Sequence, residues 1–193
     1  VFISSIKVNG ESTDKNPFNE SSNENPEDNY GVTKQEAESV VRNILDRSNK
    51  DFVIIRPPLI YSVKVKGNLE RLLKAIQKKI PLPFKCITNK RSIVGVTTLS
   101  KFIALCIREN MIKNELFLIA EEKSYSTSDL IEKIAQDNDL KCLQFCVPKI
   151  LLEIALKVFG KGDLGKKLLQ NLQIDSSKAE YFAKKFNDNE IFN

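Results

Sequence analysis

The 193-residue sequence predicts an α/β fold organised on a parallel sheet. Three features carry that reading. Val1-Phe2-Ile3 and Phe52-Val53-Ile54-Ile55 are short, continuous apolar runs rich in β-branched and aromatic residues, as buried strands are. Between them, from about Tyr30 to Ser48, the residues Ala37, Val40, Val41, Ile44 and Leu45 recur at the spacing of one helix face. The polar stretch from Gly10 to Asn29, rich in Asn, Ser, Glu and Pro, is the loop leading into that helix. Strand, loop, helix, strand is one βαβ unit, and such a crossover joins parallel strands.

The remaining elements follow in order. Leu69 to Lys79 predicts a helix with Leu72, Leu73 and Ile76 inward, and Asn68 stands at its start. Arg91 precedes the strand-like run Ile93-Val94-Gly95-Val96. Thr98 to Glu109 predicts a well-buried helix and Glu115 to Ala120 a strand. Ser126 and Asp129 have the spacing of a capping box opening a helix from Thr127 to about Asn138. Pro148 starts a further helix, with Leu151, Leu152, Ala155, Leu156 and Phe159 at helical spacing and Gly160 as its terminator. Asp175-Ser176-Ser177-Lys178 begins the last helix. Gly160-Lys161-Gly162-Asp163-Leu164-Gly165 fits the spacing of a dinucleotide-binding turn, but a helix rather than a strand precedes it, so it reads as helix–loop–helix.

Composition narrows the function classes. A net charge of +5 is mild, and the aromatic residues do not interleave with the basic ones, so no nucleic-acid partner is expected. No apolar run is long enough to span a membrane, and no membrane partner is expected. The four cysteines, Cys86, Cys106, Cys142 and Cys146, stand in a chain without histidine and lack the paired spacing of a thiolate zinc site. They read as buried reduced thiols of a cytoplasmic protein, with no metal site.

The chemistry-bearing stretch is Tyr30-Gly31-Val32-Thr33-Lys34, with Ser4-Ser5 before it and Arg56-Pro57-Pro58 after it. A tyrosine and a lysine four residues apart share a helix face. A neighbouring ammonium favours the phenolate of a tyrosine, a side chain whose ordinary pKa of about 10 makes it a poor base near neutrality. A serine at the end of the preceding strand can hydrogen-bond the same substrate oxygen. Together these form a proton-transfer device for an alcohol/ketone couple, and the partner reaction is hydride transfer to a nicotinamide. Tyr181 and Lys185 repeat the spacing, but in a charged C-terminal helix without that context.

The segments VFISSIKVNGE (1–11), DNYGVTKQEAE (28–38), VIIRPPLIYS (53–62), VKGN (65–68), IPLPF (80–84), RSIVGV (91–96) and LQIDSSK (172–178) occur in one order and spacing. In that combination the chain resembles the extended short-chain dehydrogenase/reductase family, in its NAD-dependent nucleotide-sugar epimerase/dehydratase branch. The closest likeness within that branch is to the 4-epimerases of UDP-glucose and UDP-N-acetylglucosamine. The resemblance implies the C-terminal part of a Rossmann-like parallel sheet plus a smaller, mainly helical substrate-binding lobe. Residues 1–62 and 97–121 would form the partial Rossmann-like domain, and 63–96 and 122–193 the nucleotide-sugar lobe. It places the catalytic hydroxyl on Ser5, the catalytic tyrosine on Tyr30 and the lysine on Lys34. Tyr30, Lys34, Pro57 and Pro58 would meet NAD. Asn68 and Arg91 would hold the nucleotide diphosphate, and Leu82, Pro83 and Phe84 would lie along the uracil. The cofactor implied is NAD, the substrate a UDP-sugar, and the family is usually homodimeric.

Departures from the family pattern refine this. Its dehydratases carry an acidic pair directly after the catalytic hydroxyl; here Ile6 and Lys7 stand there, so nothing is placed to protonate a leaving hydroxyl. Ser62 replaces a usual glycine, Thr98 a usual aspartate, and the C-terminal tryptophan-proline signature is missing. The glycine-rich strand-to-helix turn that binds NAD is also missing, so the chain is expected to be a fragment or remnant lacking the N-terminal half of the Rossmann domain. The expected activity is UDP-hexose 4-epimerisation through a 4-keto intermediate. Two alternatives stay open: a keto-sugar or alcohol reductase using the same three residues, or an inactive split-gene product that pairs with a separately encoded N-terminal half.

Overall fold

Two apolar runs separated by a helix pair side by side, as the crossover rule requires. In the computed structural model, which describes residues 1–62 and 68–192, β1 (Phe2–Ile3) lies parallel to β2 (Val53–Arg56). Its register sets Phe2 against Ile54 and Ile3 against Ile55. The helix between them, α1, spans Asn29–Arg47. A third strand, Glu115–Leu118, joins the other edge of β2 in parallel, giving a sheet ordered first, second, last. Between these come β3 (Leu59–Tyr61) and β4 (Ile93–Gly95), a separate two-stranded sheet, so the Glu115–Leu118 strand is β5. The observed architecture is the predicted one: α/β, parallel, with seven α-helices among the described residues.

The chain divides into two units. Unit one comprises Val1–Ile60, Ser92–Lys123 and Gln173–Asn193; unit two comprises Tyr61–Arg91 and Ser124–Leu172. Unit one is built on β2 and β5, whose fully buried Ile55 and Phe117 pack against helix α3 (Val96–Arg108). Phe102 of α3 meets the Phe117 ring edge-on at 5.1 Å, and Phe182 of the C-terminal helix (Ser177–Lys185) meets the same ring at 5.1 Å. Such edge-to-face pairs fix relative orientation beyond what area burial does. Ala179 and Ala183, fully buried and small, let that last helix approach the sheet closely.

Unit two holds α2 (Asn68–Gln77) and α4 (Thr127–Gln136), packed through Ile76, Ile131 and Ile134. The Ser126–Asp129 capping box expected from the sequence is formed, with both reciprocal hydrogen bonds at 3.0 Å. α5 (Lys149–Val158) and α6 (Gly162–Leu169) make a helical hairpin. Gly160 at its turn has φ of 66°, the left-handed conformation that ends a helix with little strain when there is no Cβ. With helices on both sides of it, the Gly160–Gly165 run sits in no βαβ unit. The last helix of the chain, Ser177–Lys185, is therefore α7.

Two expectations are corrected. Cys86 and Cys146 are joined by a disulfide, with Cα atoms 5.0 Å apart, and both are exposed. They meet because the backbones of Leu82–Lys85 and Leu143–Phe145 hydrogen-bond to each other, a pairing between segments 60 residues apart that spacing does not reveal. Cys106 is a buried free thiol, and burial pushes its pKa up to about 12; Cys142 is free and half-buried. The second correction concerns α1. Val40 and Ile44 of its apolar stripe are more than half exposed, while its buried residues are Gly31 and Glu38. The helix packs by the side that carries Lys34, Glu38, Val41 and Leu45, on which Lys34 and Glu38 find partners on β1 and β2.

Candidate active site

Ser5 lies two residues past β1 and caps the 3-10 turn Ile6–Val8, its Oγ accepting from the Lys7 backbone N–H at 3.3 Å. The chain is anchored here to the sheet: the Ser4 N–H donates to Ile55 O at 2.8 Å and the Ile6 N–H to Pro57 O at 3.0 Å. Pro57 thus holds the turn by its carbonyl, and both Pro57 and Pro58 are buried. Ser5 itself is half-buried, which leaves its hydroxyl reachable.

Asp28 caps α1 by accepting from the Gly31 N–H at 2.8 Å. Gly31 is required by close approach. A Cβ there would lie 2.7 Å from Lys7 O and 3.0 Å from Pro26 Cβ. The missing side chain lets the first turn of α1 sit against the 3-10 turn, so Tyr30 and Ser5 belong to one junction. Tyr30 is 52% exposed. Lys34, one helical turn on, has its Nζ 5.9 Å from the Tyr30 ring centroid and donates to Ile3 O at 3.0 Å, two residues before Ser5. The structure therefore gathers Ser5, Tyr30 and Lys34 around the end of β1.

A residue the sequence reading treated only as a departure also belongs to this junction. Lys7 Nζ lies 5.8 Å from the Tyr30 ring centroid, so two ammonium groups stand within about 6 Å of the ring centre. Lys7 donates to Glu11 at 2.6 Å and also to Asp28. Burial alone would lower its pKa, but the hydrogen bonds to Asp28 and Glu11 outweigh burial and hold it above the ordinary lysine value. For Asp28, burial acts upward and is overcome by hydrogen bonds from Lys7 and Gly31, leaving its pKa at about 2. The i,i+4 spacing of Lys7 and Glu11 was the available signal.

Arg56 of the Arg-Pro-Pro segment is a structural residue. Its guanidinium, 1% exposed, donates to both oxygens of Glu38 at 2.8 and 2.7 Å, to Asn9 Oδ1 at 3.0 Å, and to Glu24. Fork-on-fork geometry of this kind ties β2 to α1 and to the preceding loop. Thr98, which stands where the resemblance puts an aspartate, hydrogen-bonds a carboxylate from elsewhere in unit one: Glu121 Oε1 lies 3.4 Å from its hydroxyl and accepts the Gly95 N–H at 2.8 Å.

In unit two, Leu82 pairs with Gln144 as a parallel bridge and is buried with Phe84, while Pro83 is half-buried. Arg91 pairs with Tyr125 and Leu172, and its guanidinium donates to Gln170 O at 3.1 Å. Asn68 is the first residue of α2; its side chain, and residues 65–67 of the VKGN segment, lie outside the described residues. Among the described residues, no group of three or more acidic or cysteine side chains could hold a metal ion.

Residues 1–120 match the NAD dependent epimerase/dehydratase family, and the chain belongs to that family. It is 40% identical over 179 residues to a UDP-glucose 4-epimerase of Vibrio cholerae, a match covering 92% of this chain and 55% of that protein. It is 24% identical over 192 residues to the N-acetyl-alpha-D-glucosaminyl-diphospho-ditrans,octacis-undecaprenol 4-epimerase of Escherichia coli O157:H7, covering 92% of this chain and 57% of the other. The chain thus spans little more than half the length of these relatives. Among solved structures, the UDP-glucuronic acid 4-epimerase of Bacillus cereus in complex with NAD superposes with a TM-score of 0.70 at 18% identity, over 93% of this chain and 53% of that one. At that identity the likeness is one of fold.

Proposed function

We propose that this chain supplies the proton-transfer and nucleotide-binding residues of an NAD-dependent UDP-hexose 4-epimerase. The observation that carries the reading is the convergence of Ser5, Tyr30 and Lys34 on the end of β1, enforced by the close approach at Gly31. In unit one, Tyr30 as phenolate accepts the proton of the sugar C4 hydroxyl and later returns it. Lys34 favours the phenolate by its charge. Ser5 holds the reacting oxygen by a hydrogen bond. The 4-keto sugar turns over so that its other face takes back the hydride at C4 while Tyr30 returns the proton to oxygen, which gives the epimer. In unit two, Arg91 and Asn68 are assigned to the diphosphate and Leu82–Phe84 to the uracil.

The donor set fits the nicotinamide end of NAD. An ammonium carries three donors, and Lys34 uses one on Ile3 O, leaving N–H groups for ribose hydroxyls. Pro57 and Pro58 line the same strand end. Bound NAD would supply a reversible hydride acceptor at C4.

The test is interconversion of UDP-glucose and UDP-galactose by the chain co-expressed with the part of the Vibrio cholerae relative that it does not cover. An epimerase shows no net change in NADH. Stoichiometric consumption of NADH on a keto-sugar would replace this reading with a reductase, and inactivity on both substrates would defeat both.

A further inference from the structure

The α5–α6 hairpin of unit two is amphipathic the wrong way round for a core helix. Ile150, Leu151, Ile154, Val158 and Phe159 are 69, 57, 53, 77 and 76% exposed, while Leu152 is buried. At about 100° per residue, Ile150 and Ile154 stand about 160° around the helix from Leu152. Ile150, Ile154 and Val158 repeat every four residues, so they form one continuous apolar stripe facing away from unit two. Contiguous exposed apolar surface of this kind marks an interaction site.

The rim of the stripe carries the second observation. Residues 148–161 contain three lysines, Lys149, Lys157 and Lys161, against one acid, Glu153. Lys149, Lys157 and Lys161 are exposed. Lys149 has only a long, exposed contact of 3.8 Å with Glu153, which water screens. An apolar face bordered by cations needs a partner that is apolar inside and anionic at its surface. A second copy of the chain presents the same cationic rim and so brings no complementary charge. An anionic bilayer meets both demands.

We propose that the outer face of α5 docks this chain onto an anionic membrane surface. Ten residues rise about 15 Å, half the hydrocarbon thickness, so the helix lies in the interface plane and does not cross. Among the described residues, no helix is long and apolar enough to span a bilayer. The proposal departs from the sequence expectation of no membrane partner. That expectation counted spanning length alone, whereas packing decides which apolar residues of a helix face outward.

The experiment is co-sedimentation of the whole chain with vesicles of phosphatidylglycerol and phosphatidylethanolamine, beside vesicles of phosphatidylcholine alone. Pelleting with the anionic vesicles only is expected, weakening as salt rises from about 0.1 M to about 1 M and the Debye length contracts to about 3 Å. The double variant Val158→Glu, Phe159→Glu, both side chains being three-quarters exposed, keeps the thermal transition and lowers partitioning about tenfold or more. A second measurement avoids any folding defect. The chain contains no tryptophan, so Phe159→Trp reports from the stripe alone, and its emission shifts to the blue on adding anionic vesicles. Failure of the wild-type chain to pellet, equal pelleting with phosphatidylcholine, retained binding in the glutamate variant, or an unshifted tryptophan would each overturn the proposal. So would a concentration-dependent blue shift without vesicles, which would make the stripe a contact between copies.

Discussion

Tyr30 stands over half exposed at the first turn of α1, with the ammonium groups of Lys7 and Lys34 both within about 6 Å of its ring centre. Its ring packs little, so the role proposed for it rests on its hydroxyl. In the co-expressed, active protein, Tyr30→Phe is expected to lower kcat by roughly 100- to 10,000-fold with KM little changed, the usual worth of positioned proton transfer. Tyr181, also well exposed and also four residues before a lysine, is the internal control, and Tyr181→Phe leaves the rate unchanged in the same steady-state assay. Arg91→Ala raises KM with kcat kept, since a diphosphate is held alike in ground and transition states. A second residue-scale expectation concerns Glu38, the buried partner of Arg56. Glu38→Ala leaves a buried guanidinium short of its main acceptor and costs about 3–5 kcal/mol in urea unfolding. The Tyr30–Lys34 pair was legible because i,i+4 spacing is a local property of a helix. The Glu38–Arg56 pair was not, because nothing in a run such as Val53-Ile54-Ile55-Arg56 says where its charge is satisfied.

At the scale of elements, the junction of the 3-10 turn with α1 is held by charge as well as by the Gly31 contact. The Asp28 pKa, about 2, lies below the value of about 3.9 for a free aspartate. A carboxylate depressed on folding stabilises the fold above its unfolded value, and that contribution is lost as pH falls through the folded one. The Asp28 contribution therefore disappears between about pH 4 and about pH 2. Asparagine still caps a helix but carries no charge. Asp28→Asn is expected to flatten the pH dependence of the urea midpoint in that window, and an unchanged slope would refute the role given to Asp28. The elements themselves were largely readable: apolar runs became β1, β2 and β5, and the Ser126–Asp129 box opened α4 as its spacing required. Orientation was not. Val40 and Ile44 of α1, and Ile150, Ile154 and Val158 of α5, face solvent while Val41, Leu45, Leu152 and Leu156 are half-buried or buried, because periodicity states that a face exists without stating what it meets.

Across the whole molecule, the Cys86–Cys146 bond is the covalent tie among the described residues, and it closes a loop of 60 residues in sequence. Constraining the unfolded chain by a loop of that order is worth about 2–4 kcal/mol. Cys86→Ser is thus expected to lower the unfolding free energy of unit two by about that amount under non-oxidising handling of the variant; a midpoint equal to the wild type would count against a stabilising bond. The sequence by itself determined the α/β class, the parallel pairing around one βαβ unit and the candidate residues Ser5, Tyr30 and Lys34. Those depend on period, chain order and short-range spacing, which are written along the chain. Only the tertiary structure decided that Lys7 joins Tyr30, that Arg56 is spent on Glu38, that Cys86 meets Cys146 and that α5 shows its apolar side to solvent. Each of these is a contact, or the lack of one, between distant segments, and it follows from how the elements pack.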